Sequence, residues 1–165
     1  MSDRKLRLAV VGCGYVATLD YFPVLARADV REQIDLVAVC DVQEALAMDV
    51  QERFGAGRYE TDFLRIVEDP SIEAVALLTP IPLHYQQAVA VIEAGKHVYV
   101  QKTMTETVDE ATDLIERAKR RHVVLTAAPG MMISAHVQQA KRIIESGLIG
   151  KVCYVRGRGA HAFQG

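Results

Sequence analysis

The strongest constraint on what this chain can fold into lies at its first apolar run. Residues 6–11 read Leu-Arg-Leu-Ala-Val-Val and pass without a break into Gly12-Cys13-Gly14-Tyr15-Val16-Ala17. A mostly apolar strand, then G-x-G-x-x-A, then a helical pattern is the form of a phosphate-binding turn. Gly12 suits the tight turn, Gly14 lets the backbone come close to a pyrophosphate, and Ala17 keeps the helix near the strand. The opening of that helix offers N–H groups without intrahelical acceptors, at the positive end of the helix dipole. The expected contacts of this turn are Gly12, Cys13, Gly14, Tyr15, Val16 and Ala17. Asp41 ends the next apolar run, residues 34–40, where an acid accepts hydrogen bonds from an adenosine ribose. The rival reading is a glycine turn that merely packs a helix on a sheet.

Downstream, helical and extended patterns alternate. Helical spacing covers roughly 15–28, 43–54 and 62–68, and a further stretch from about Leu83 carries Ala88, Val91 and Ile92 before Gly95. Thr107-Val108-Asp109-Glu110 has capping-box form, with Ala111, Leu114, Ile115 and Ala118 on one face behind it. Extended segments fall at 58–60, 74–78, 97–100 and 123–127. This alternation predicts an α/β class, a doubly wound parallel sheet covered by helices on both faces, over residues 1–128. Beyond Ala128-Pro129-Gly130, Ser134 can cap a helix bearing Val137, Ala140, Ile143 and Ile144, ended by Gly147. Residues 151–158 look strand-like. We expect 129–165 to be a connecting helix and the first strand of a second α/β domain, truncated at Gly165. The alternative is a complete small protein whose last strand pairs with another copy. Either way an open strand edge and the apolar side of Val152 and Tyr154 favour a homo-oligomer.

Composition narrows the function classes. Half of the 165 residues are hydrophobic and the net charge is −2, so nothing electrostatic favours a nucleic acid partner. Arg156-Gly157-Arg158-Gly159 is too short to act as an RNA-binding tract. No apolar stretch reaches the length of a membrane span, and Met1–Lys5 leads into a strand instead of a signal-peptide core. Cys13, Cys40 and Cys153 have neither metal-ligand nor disulfide spacing, which suggests reduced thiols, no metal site and a cytoplasmic protein.

Three further stretches carry a family resemblance. Thr79-Pro80-Ile81-Pro82-Leu83-His84, then Ala94-Gly95-Lys96-His97-Val98-Tyr99-Val100-Gln101-Lys102, then Gly147-Leu148-Ile149-Gly150 resemble the Gfo/Idh/MocA oxidoreductases, such as glucose–fructose oxidoreductase and inositol dehydrogenase. The resemblance runs in order along nearly the whole chain. It implies an N-terminal Rossmann domain binding NAD(H) or NADP(H), a second α/β domain, and chemistry at a hydroxyl or carbonyl carbon of a sugar, inositol or similar small molecule. It places Thr79 and Pro80 along the cofactor, with His84 at the start of the next helix. Lys102 matches the lysine of the family's Glu-Lys-Pro motif, beside nicotinamide and substrate, and Gln101 takes the glutamate's place.

Lys102 follows a strand at the sheet's ligand-binding end, where it would orient a carbonyl or shuttle a proton. A structural ion pair is the plainer reading. His84 either caps a loop or touches ligand, while His97, His122 and His136 look structural or exposed. Cys13 reads as filler. Thr103 stands where the family has a proline that often follows a cis peptide bond; that form is costly before threonine, so a trans, reshaped loop is expected. Ile81 replaces a common asparagine. The family's catalytic Asp and His lie in the second domain, and His161 is too early to be that His. Asp41, with no Arg or Lys at 42 or 43, points to NAD(H) over NADP(H). Two other classes remain: a non-catalytic dinucleotide-binding regulator, and an S-adenosylmethionine methyltransferase sharing the Val-Gly-Cys-Gly run.

Overall fold

Six strands, β1 (Leu6–Val11), β2 (Ile34–Cys40), β3 (Tyr59–Glu60), β4 (Ala74–Leu77), β5 (His97–Val100) and β6 (Leu125–Ala127), form one parallel sheet in the order 3-2-1-4-5-6. This computed structural model describes residues 4–128 and 133–157. The central strands are the most buried: all four residues of β4 are buried, as are the last four of β1 and of β2, while β3 and β6 at the sheet edges are only partly covered. Two apolar layers result. Ile66, Val91, Ile92 and Leu114 pack on one side and Phe22, Val39, Val50 and Ala56 on the other.

The covering helices are α1 (Phe22–Leu25), α2 (Ala28–Arg31), α3 (Glu44–Phe54), α4 (Phe63–Glu68), α5 (Ile81–Glu93) and α6 (Val108–Arg121). Those after β2 follow the sequence pattern closely. The capping box at Thr107 is formed in both directions. Gly55 closes α3 in the left-handed conformation that glycine adopts cheaply.

Three expectations need correction. The single helix over 15–28 is instead a wide π-type segment, Ala17–Tyr21, running into α1 and then a separate α2. Pro23 has no N–H to donate, and its ring would crowd the carbonyl four residues back, so the chain widens ahead of it. The Phe22 N–H accordingly reaches back five residues to the Ala17 carbonyl. Secondly, the Lys102–Thr103 peptide is cis although residue 103 is not proline. The Thr103 carbonyl in this loop accepts a hydrogen bond from His84.

The third correction falls in the C-terminal stretch. The chain divides into two compact units, residues 1–129 and 130–165. In the second, α7 (Ala135–Glu145) forms where the spacing predicts it and is followed by Gly147 at φ +72°. Residues 152–157 adopt no regular structure. A β-strand needs a neighbour for its N–H and C=O groups, and the described residues of this unit supply none. Pro129, Gly130, Arg158, Gly159 and His161 lie outside the described residues. No helix among them is long and apolar enough to cross a membrane.

Candidate functional site

The strand order reverses between β1 and β4, and a crevice opens at the carboxyl ends of parallel strands at such a point. A cavity of about 520 Å³ lies there. Its walls include Gly12, Gly14, Tyr15 and Val16 after β1, Asp41 after β2, and Thr79 and Pro80 after β4. These seven are residues that the sequence assigns to a cofactor, drawn from three separate loops.

The two glycines play different parts. Gly12 has φ +99°, and a Cβ there would stand 2.7 Å from the Leu78 carbonyl carbon and 2.9 Å from the Thr79 nitrogen. Glycine at 12 is therefore what lets the first turn lie against the end of β4. At Gly14 a Cβ would meet nothing within 4 Å, because the position faces open cavity. The described packing gives no reason for glycine at 14. The helix opens here, with the Thr18 N–H bonded to the Gly14 carbonyl at 3.0 Å. The N–H groups of its first turn have no intrahelical acceptor and point outward from the helix end.

Asp41 is fixed by the turn it serves. Its Oδ2 accepts the Cys13 N–H at 2.8 Å and its Oδ1 the Gln43 N–H at 2.9 Å. The carboxylate thus braces the glycine turn while retaining further lone pairs on both oxygens for a ligand hydroxyl. This bracing was not legible in the sequence, because it joins residues 28 apart that only strand pairing brings together.

The remaining assigned residues sit elsewhere. Cys13 and Ala17 are buried beneath the turn, and the Cys13 N–H is spent on Asp41. Burial, reinforced by Asp41 and Cys40, pushes the Cys13 thiol up to about 12, so it stays neutral. His84 is fully buried, with both ring nitrogens on backbone carbonyls, and does not line the cavity. Both ring nitrogens thus face the protein's own backbone. Gln101 accepts the Lys102 N–H through Oε1 at 2.7 Å. Lys102 is exposed beyond the end of β5 and makes no ion pair with the described residues.

Sequence reading missed Leu46, Thr61, Phe63, Leu83 and Gln87 in the cavity wall. Gln87 Oε1 accepts a hydrogen bond from the Thr79 hydroxyl at 2.6 Å, which turns its amide N–H groups away from that contact. Its position two turns into α5 gave no motif. Thr61 and Phe63 border the crevice only because β3 pairs with β2.

Comparison with known proteins agrees with this geometry. Residues 6–128 match the model of the family described as "Oxidoreductase family, NAD-binding Rossmann fold". Levoglucosan dehydrogenase of Pseudarthrobacter phenanthrenivorans is 32% identical over 119 residues, covering 72% of this chain and 30% of that protein. The scyllo-inositol 2-dehydrogenase (NAD(+)) of Bacillus subtilis is 28% identical over 155 residues, covering 94% and 44%. The crystal structure of the WlbA dehydrogenase from Bordetella pertussis, in complex with NADH and UDP-GlcNAcA, superposes with a TM-score of 0.81 at 27% identity, over 92% of this chain and 42% of that one. The chain thus spans less than half the length of each of these relatives. On the family match and the geometry together, it belongs to the Gfo/Idh/MocA oxidoreductases, of which it carries the NAD-binding Rossmann domain.

Proposed function

We propose that this chain is the dinucleotide-binding part of an oxidoreductase that moves a hydride between NAD(H) and a hydroxyl or carbonyl carbon of a sugar- or polyol-like molecule. The observation that carries the cofactor assignment is Gly14. It faces open cavity at a helix N-terminus, beside a carboxylate held at the end of the neighbouring strand. A pyrophosphate over Gly12–Val16 would receive the N–H groups of the first helical turn. Asp41 would accept from the adenosine ribose hydroxyls, and Val42, Leu46 and Phe63 give the adenine an apolar flank. Thr79 and Pro80 border the way to the nicotinamide end. The bound cofactor supplies the hydride or takes it up.

The protein's share of the chemistry is placement and protons. Lys102 would donate a hydrogen bond to the substrate oxygen, polarising a carbonyl or stabilising the oxygen of an alcohol as it loses its proton. The substrate class rests on the names of the relatives, a levoglucosan dehydrogenase and a scyllo-inositol dehydrogenase among them. A cytoplasmic location accords with three free thiols, and a homo-oligomer with the open apolar surface at Val152 and Tyr154.

The same carboxylate sets the proposed preference for NAD(H). A 2′-phosphate would stand against Asp41, and neither Val42 nor Gln43 offers a cation to offset it. Calorimetric titration with NADH and NADPH tests this. Tighter NADH binding is expected, with the gap narrowing in Asp41→Ala; equal affinities in the unaltered chain overturn the preference.

A further inference from the structure

His84 is the fourth residue of α5, and its imidazole is completely buried. Nε2 lies 2.7 Å from the carbonyl oxygen of Thr79, and Nδ1 lies 2.7 Å from that of Thr103. Both partners are carbonyl oxygens, which accept hydrogen bonds and have no hydrogen to give. A neutral imidazole carries one N–H and one bare lone pair, so it satisfies only one such contact. The other contact would then set a nitrogen lone pair against an oxygen at hydrogen-bond distance. Two bonds of this length form together only when both nitrogens carry protons.

From this we infer that His84 is held as an imidazolium that staples the end of β4 to the loop after β5, and so acts as a positioning residue for the dinucleotide crevice. The staple joins two segments with different tasks. Thr79 lines the cavity, and Thr103 directly follows Lys102. Fixing both carbonyls on one rigid ring sets the spacing between the cavity wall and the lysine. The link from staple to crevice rests on the cofactor reading above; the charge on the ring does not.

The surroundings leave the ring to these two carbonyls. Its own helix carries Tyr85 and Glu93, α6 presents Asp113 and Arg117, β5 carries Tyr99, and the following loop carries Lys102 and Glu106. Asp113 is taken by Tyr85 and Arg117, Glu93 by Arg117 and Arg121, and Tyr99 by Tyr21. Among the described residues no carboxylate bonds the ring. The amino end of α5 disfavours a cation, so the two carbonyl dipoles, in charge-assisted hydrogen bonds, hold the charge in place.

The primary test is long-range proton–nitrogen NMR of the unaltered chain at neutral pH, with the His84 signals identified by their loss in His84→Gln. Two protonated-type ring nitrogens are expected. One nitrogen of the unprotonated type overturns the inference, whether or not the variant folds. NADH titration supplies the second arm. His84→Gln should bind about tenfold more weakly, as expected for losing a hydrogen bond of a charged group. Unchanged affinity in a folded His84→Gln, with Gly14→Val losing binding alongside, overturns the positioning role. If the unaltered chain binds no NADH while both nitrogens carry protons, the staple stands and the cofactor reading is what fails.

Discussion

Gly12 and Gly14 stand two residues apart and are required for unrelated reasons. A side chain at 12 would collide with the backbone at the end of β4, at a φ that side chains rarely adopt. Gly12→Ala should therefore lower stability by about 2 kcal/mol or more, seen as a lower denaturant midpoint. Gly14→Ala should shift it by no more than about 0.5 kcal/mol. The cysteines separate in a similar way. Burial first, then neighbouring acids, pushes Cys13 up to about 12 and Cys40 up to about 11, while Cys153 is exposed. Alkylation of the native protein, followed by peptide mass spectrometry, should label Cys153 well before either buried thiol. Early labelling of Cys13 would mean that the glycine turn opens. The glycines were readable in the sequence because their spacing is itself the signal. The bracing of the turn by Asp41 was not, since no local pattern reports a bond across two strands.

Among the elements, the link between α4 and β4 is tied by hydrogen bonds at Asp69, Ser71 and Ile72. Asp69 ends α4, and its Oδ1 accepts the Ser71 N–H at 2.7 Å while Oδ2 accepts from Arg58 at 2.6 Å. The Asp69 backbone carbonyl accepts from the buried Lys96 ammonium at 2.6 Å, and the Ile72 carbonyl accepts from it at 2.9 Å. Burial pulls the Lys96 ammonium below its usual range. Hydrogen bonds from Ser71, against the opposing effect of burial and with help from Arg58, hold the Asp69 carboxyl down to about 2. A carboxylate lowered in the folded state adds stability above its ordinary value of 3.8 and loses it as pH falls toward 2. The contribution is about 1 kcal/mol after allowing for partial exposure. Asp69→Asn should thus reduce stability near neutrality and flatten the acid limb of a pH–melting curve; an unchanged limb would show that Asp69 titrates normally. At α6, Thr107→Ala removes one side of a complete capping box and should cost about 1 kcal/mol by denaturant titration. The sequence showed that box plainly, because Thr and Glu at its spacing are enough. It hid the widened turn at Ala17–Tyr21, where Pro23 acts on the residues before it while the apolar spacing runs on unbroken.

Across the whole molecule, the sheet was legible because every central strand is a short apolar run between helical patterns, which only a covered parallel sheet accommodates. The strand order was not legible, as periodicity says nothing about which strands are neighbours. The C-terminal stretch was the least legible. Gly147 marks the end of α7, but residues 152–157 carry β-type side chains without a partner to make them a strand. In the crevice, loops that the motifs named lie beside Thr61, Phe63 and Gln87, which no motif named. Everything proposed about activity depends on a dinucleotide lying across the Gly12–Val16 turn. Equilibrium titration of NADH into the unaltered chain and into Gly14→Val, with matched melting temperatures, tests that most directly. Saturable one-to-one binding in the first and none in the second is expected, because valine would fill space that only a ligand needs. Undiminished NADH affinity in a folded Gly14→Val would contradict it.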